Sequence, residues 1–149
     1  MVMYPETLHI ALAEDDADDR MFFNNAFNEI KLKHTLSVFE DGIELMDYLH
    51  DTDALPHIVF LDLNMPGKSG LECLKEIRAD KRLREMSVAI YSTLASDCNQ
   101  EETFIAGANV YIKKPNDFNV LKKILAEVIS INWQYVTDGL DRENFMLNY

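Results

Sequence analysis

The sequence predicts a doubly wound α/β domain, built as a five-stranded parallel sheet with helices on both faces. Short apolar runs of strand length alternate with segments of helical period five times along the chain. The connections between them are short, which favours right-handed crossovers and a parallel sheet. In such a sheet the ligand crevice lies beyond the carboxyl ends of the strands, where strand order reverses. The chemically notable residues of this chain follow strands.

Leu8 to Ala13 is an apolar run that stops abruptly at Glu14-Asp15-Asp16, a strand followed by an acidic loop. Asp18 and Asp19 open a helical segment whose Phe22, Phe23, Ala26, Phe27 and Ile30 form one stripe, read as core packing. His34 to Phe39 alternates and is rich in β-formers, and Asp41-Gly42 turns it into the helical period of Ile43 to Leu49. His57 to Leu61 is too short for a core helix and lacks strict alternation, so it predicts a central strand covered on both faces, closing on Asp62. Gly70 to Arg78 predicts the third helix with Leu71, Leu74 and Ile77 inward. Met86 to Tyr91 predicts the fourth strand, Cys98 to Ala106 the fourth helix and Asn109 to Ile112 the fifth strand. The last helix runs from about Asp117 to Ile129, with Lys122 and Lys123 outside.

The 149 residues suit one domain with one core, at 48% hydrophobic and 27% charged composition. Residues 1–130 are expected to form that domain. Residues 131–149 form an extension containing Trp133, Tyr135 and Phe145, too apolar for a typical disordered tail. Packing on the domain and a homodimer or partner contact both stay open for it. A formal net charge of -12 repels nucleic-acid phosphates and anionic membranes. The densest basic stretch, Lys75, Arg78, Lys81, Arg82 and Arg84, is interrupted by Glu72, Glu76, Asp80 and Glu85, so neither nucleic acid nor membrane is expected as a partner. Cys73 and Cys98 sit in no CxxC, and MVMYPET carries no basic region followed by a long apolar stretch, which predicts a cytoplasmic protein.

Asp15 and Asp16 follow the first strand, Asp62 the third, Ser92 and Thr93 the fourth, and Lys114 the fifth. Carboxylates meeting at one sheet edge repel, and a hard divalent cation relieves the conflict; Mg²⁺ takes oxygen ligands and commonly one or two carboxylates. The four histidines and two cysteines form no zinc-ligand spacing. Phosphoryl transfer to a carboxylate needs an in-line nucleophile, a cation and donors around the developing charge. Asp62, the acidic pair, Ser92 and Lys114 are candidates for those roles. Lys113 is a rival to Lys114, but adjacent side chains of an extended chain point to opposite faces, so only one enters the pocket. From spacing alone, an empty acidic rim and a metal-dependent phosphatase or isomerase stay open.

The constellation resembles a response-regulator receiver domain, the phosphoacceptor module of two-component signalling, over roughly residues 7 to 130. The resemblance rests on Glu14-Asp15-Asp16, on Ile58 to Asp62 followed by Leu63-Asn64-Met65-Pro66-Gly67-Lys68-Ser69-Gly70, on Ser92-Thr93, on Gly107-Ala108 and on Tyr111 to Pro115. Thirty positions separate Asp62 from Ser92 and twenty-two more reach Lys114. It implies a flavodoxin-like strand order 2-1-3-4-5. It implies Asp62 as phosphoacceptor, Asp16 as direct Mg²⁺ carboxylate with Asp15 acting largely through water, and the Asn64 carbonyl as a further ligand. Ser92 and Tyr111 would be the hydroxyl and aromatic switches and Lys114 the phosphate partner, with Thr93 as pocket neighbour. Pro66, Gly67 and Gly70 match the loop that shapes the site, and a cis peptide is implied at Lys114-Pro115, which is permitted only because proline follows. Thr93 stands where the family often has Ala, and Ala17 after the acidic residues is small. A sensor histidine kinase or histidine phosphotransfer protein is the implied donor, bacterial phytochrome-type kinases included. The implied protein is a single-domain regulator with output through protein contact and no enzymatic activity beyond its own phosphorylation and dephosphorylation. A pseudo-receiver keeping the fold without phosphorylation is the alternative.

Overall fold

The computed structural model describes residues 7–93, 96–138 and 146–147, with side-chain surroundings described as far as residue 130. The elements run β1 (Leu8–Ala13), α1 (Ala17–Asn28), β2 (His34–Phe39), α2 (Gly42–Asp51), β3 (Ile58–Leu61), α3 (Gly70–Ala79), β4 (Ser87–Ser92), α4 (Asp97–Ala106), β5 (Val110–Lys113), α5 (Phe118–Asp138) and β6 (Met146–Leu147). The five expected strands pair in parallel in the order β2-β1-β3-β4-β5. The chain crosses from the β2 edge to the far side of β1 after its second strand, and this reversal opens the crevice between β1 and β3.

Strand alternation divides the core into two layers. Leu8, Ile10, Leu12, Ile58, Phe60, Tyr91 and Ile112 face α1 and α5, where Phe23, Phe27, Leu121 and Leu125 meet them. Ala11, Ala13, Val59, Leu61, Ile90 and Tyr111 face the other way, onto Leu45, Leu49, Cys73, Leu74 and Ile77 of α2 and α3. β3 is buried at all four positions because both faces are covered, whereas β2, an edge strand, is only partly buried or exposed along its length. Phe23 anchors the first layer with edge-on contacts to Phe60 and Tyr91.

Helix starts are fixed by side-chain caps. Asp16 caps α1 and Asp41 caps α2; Ser69 and Glu72 form a capping box on α3; Ser96 caps α4. Gly107 ends α4 at φ 104°, a left-handed conformation that favours glycine.

Two features depart from expectation. α5 continues past Ile129 to Asp138, since no Gly or Pro interrupts the chain before Gly139. A sixth short strand, β6, pairs in parallel with β5, placing Met146 opposite Tyr111 and Leu147 opposite Ile112. The aromatic side chains of the extension, Trp133, Tyr135 and Phe145, lie outside the residues whose surroundings are described. Among the described residues no helix is long and apolar enough to cross a membrane.

Candidate functional site

The site forms where strands β1, β3, β4 and β5 end, and backbone hydrogen bonds fix how its residues line up. Past the strand ends the pairing continues for one step: Glu14 N donates to Phe39 O (3.0 Å), Asp62 N to Ala13 O (3.1 Å) and Lys114 N to Ser92 O (2.9 Å). Residues far apart in sequence are thereby held level along one sheet edge. Gly70 lets α3 begin against that edge. A Cβ there would stand 2.2 Å from the Asp62 carbonyl oxygen, while Gly70 N donates to Leu63 O. Gly67 sits at φ 79° in the same loop.

Asp62 is buried, with 6% of its surface exposed. Its Oδ1 accepts from Asn64 N and its Oδ2 from Lys114 Nζ, both at 3.4 Å, the long end of hydrogen bonding. Neither bond saturates the carboxylate. Asp15 is exposed and forms the mouth. One carboxylate oxygen each from Glu14, Asp15 and Asp62 can lie within 4.8 Å of the others, an all-oxygen donor set of the kind hard divalent cations select.

Glu14 rather than Asp16 completes that cluster. Asp16 instead turns into α1, where its Oδ1 accepts from Asp19 N at 2.9 Å as the helix cap. The sequence-level expectation of Asp16 as the direct ligand therefore does not match its placement. The acidic residues are displaced by one position: Glu14 still continues the strand, and Asp16 already belongs to the helix. A signal for this was present, since Asp is a preferred N-cap and the apolar helical stripe begins a few residues later.

Glu14 is fully buried. Its Oε2 accepts from Asp16 N, its Oε1 from Lys114 Nζ, and its carbonyl from the Arg20 guanidinium. Burial pushes its carboxyl up to about 8, and Asp62 adds to the rise; the hydrogen bond from Lys114 opposes it. Lys114 is pressed toward neutrality by burial, but hydrogen bonds to Glu14 and Asp19 outweigh this and hold its ammonium above the usual lysine range. Its Nζ also lies 5.3 Å from the centre of the Tyr91 ring. Lys113 is exposed, so of the two lysines it is Lys114 that enters the pocket.

Ser92 ends β4 and is 1% exposed. It is hydrogen-bonded to the phenol of Tyr111, which is itself fully buried. Burial raises the Tyr111 pKa above its ordinary value, against the Ser92 hydrogen bond. Thr93 is exposed just beyond, and Pro66 is exposed in the loop after β3. No cis peptide occurs among the described residues, so Lys114-Pro115 is trans, contrary to expectation. The trans form is the intrinsic preference of X–Pro bonds, and Lys114 reaches the pocket with it. Asp19, a partner of Lys114 at 2.9 Å, was foreseen only as a first-turn acidic residue.

The model of the response regulator receiver domain matches residues 10–126. The chain belongs to this receiver family. Its relatives include the probable methanogenesis regulatory protein FilR2 of Methanothrix harundinacea, 32% identical over 123 residues that cover 80% of this chain and 79% of FilR2. Among solved structures, the phosphorylated cyanobacterial phytochrome response regulator RcpA superimposes with a TM-score of 0.79 at 27% identity, covering 88% of this chain and 96% of RcpA. The Mn²⁺-bound form of response regulator Rcp1 gives 0.75 at 25% identity, covering 92% and 99%. The strand order 2-1-3-4-5 is thus that of a receiver fold, as the sequence implied.

Proposed function

We propose that this receiver accepts a phosphoryl group on Asp62 from a sensor histidine kinase or a histidine phosphotransfer protein, in a Mg²⁺-dependent reaction, and signals through protein contacts in the cytoplasm. The observation that carries the proposal is the convergence of Glu14, Asp15 and Asp62 on one point, with Lys114 bonded to two of them.

The donor set fits a hard cation: three carboxylates, no nitrogen or sulfur, and one exposed member that leaves room for water. Glu14, Asp15, Asp62 and the Asn64 carbonyl would hold Mg²⁺, which supplies charge neutralisation for the phosphoryl oxygens. The chain's own groups do the rest. An Asp62 oxygen forms the new P–O bond as the donor's P–N bond breaks, and the imidazole leaves with the electron pair. Lys114, 3.4 Å from Asp62 Oδ2, would offset negative charge that builds up at the phosphoryl group. The aspartyl phosphate presents more acceptor oxygens than a carboxylate, and the Ser92 hydroxyl is the nearby switchable donor. Recruiting it would break the Ser92–Tyr111 hydrogen bond, releasing the buried phenol to a second packing.

Residues 1–130 are the receiver unit in this proposal, and residues 131–149 an extension packed against it, which the pairing of β6 with β5 supports. Phosphodonor labelling tests the core of the proposal. Wild type should take up label only with Mg²⁺, and Asp62→Asn should take up none; equal label on both would sink the assignment.

A further inference from the structure

Lys114 has as many carboxylate partners as it has N–H donors. An ammonium carries three donors, and here they face Glu14, Asp19 at 2.9 Å and Asp62 at 3.4 Å. The bond to the phosphoacceptor is the longest. The competing partner on α1 is held there by the fold. Asp16 caps the helix by accepting from Asp19 N, which fixes the first helical turn from which the Asp19 carboxylate meets the lysine.

We propose that Asp19 is a positioning residue that draws Lys114 toward α1 and away from Asp62, and so limits how firmly the lysine holds a phosphoryl group on Asp62. The inference rests on the phosphoacceptor role proposed for Asp62. Two effects act in the same direction. Asp19 occupies a donor that a phosphoryl oxygen would otherwise receive, and its negative charge repels the phosphoryl group across the pocket. A plain helix-dipole role does not require this geometry. Asp18 is also acidic, lies in the same first turn and is exposed, so the dipole is served without a carboxylate on the lysine. The Asp19 side chain is 40% exposed while those of Lys114 and Asp62 are 9% exposed. It is therefore the partner that can be exchanged with least disturbance to the core.

The test uses the full chain as wild type, Asp19→Asn and Asp19→Glu. The probe is beryllofluoride with Mg²⁺, a phosphoryl mimic followed by ¹⁹F NMR. Asp19→Asn should bind the probe about fivefold more tightly, and its aspartyl phosphate, formed with acetyl phosphate, should persist longer by a similar factor. Asp19→Glu, which restores the charge, should return both quantities toward wild type. Circular dichroism and thermal unfolding should show all three folded, because a cost confined to the helix would lower stability without tightening the probe. Unchanged or weaker binding by Asp19→Asn, with wild type binding normally, overturns the inference and leaves the phosphoacceptor role intact. Failure of wild type itself to bind the probe or take up phosphoryl overturns both.

Discussion

Lys114 and Arg78 are cations set at opposite ends of the sheet, and they differ in what surrounds them. At the carboxyl end, Lys114 faces the carboxylates of Glu14, Asp19 and Asp62. At the amino end, the half-buried Arg78 makes its hydrogen bonds to neutral oxygens, with the Glu85 carboxylate acting on it only at longer range. It donates to the backbone carbonyls of Gly107, Arg84 and Met86 and to Asn109 Oδ1, which also accepts from Val88 N. Burial lowers the Arg78 pKa from its ordinary value, yet guanidinium stays charged at any relevant pH. Arg78 therefore behaves as a staple. It closes the end of α3 onto the approaches to β4 and β5 through four hydrogen bonds. The Lys114 site gathers more carboxylates than its one ammonium can pair with singly, which suits it to the further cation proposed above. Neutral acceptors around a buried cation stabilise a fold; excess anionic ones prepare a site.

The sharpest way to break that contrast is to remove each cation in turn. Lys114→Ala should lower phosphoryl labelling about 100-fold, the scale of losing one charged donor to a developing anion. Its stability loss should be the smaller of the two, since Glu14 can stay protonated. Arg78→Ala should cost about 2–4 kcal/mol in denaturant unfolding, because several acceptors, most of them part-buried, lose their donor together. Its labelling rate should stay within about twofold of wild type, as distant sites act independently. Arg78→Lys should recover little, since a compact ammonium cannot span those acceptors. An Arg78 variant that abolished labelling while unfolding normally would erase the distinction.

A smaller effect sharpens it through pH. The Glu14 carboxyl is raised by burial from 4.5 to about 8, so between those values the folded chain holds a proton that the unfolded chain releases. Its contribution to stability is fully present below pH 4.5 and is lost as pH rises toward 8. In metal-free protein that loss should be on the order of 1–2 kcal/mol by urea unfolding, and Glu14→Gln should flatten the profile. Mg²⁺ should reverse the trend. Held by Glu14, it would compete with the Glu14 proton, so its affinity should rise with pH across the same window, as isothermal titration can measure. A pH-independent affinity would place Glu14 outside the metal site.

Much of this was legible in the chain, and the exceptions have specific causes. His57 to Leu61 announced β3 because a short run with no polar face can be buried only as a central strand, and Asp62 follows it directly. Alternation showed that only one of Lys113 and Lys114 enters the pocket, and the family resemblance pointed to Lys114. The acidic residues after β1 could not be placed from the sequence, because three consecutive carboxylates leave the junction between strand and helix undefined. Moving that junction by one residue exchanges Asp16 for Glu14. The partnership of Asp19 with Lys114 joins residues 95 positions apart, and no local pattern encodes it. The reach of α5 to Asp138 was hidden by taking the end of its apolar stripe for the end of the helix.

By itself the sequence determined the alternation of elements, the two-sided burial of the central strands and the kinds of side chain at the ends of those strands, because hydropathy period and residue chemistry are local properties. Only the tertiary structure decided which carboxylates meet, which of them caps a helix and how one ammonium is divided among three anions. Those outcomes depend on the register between strands and on where each chain segment leaves the sheet. Both are set by packing across the whole domain and not by any one stretch of residues.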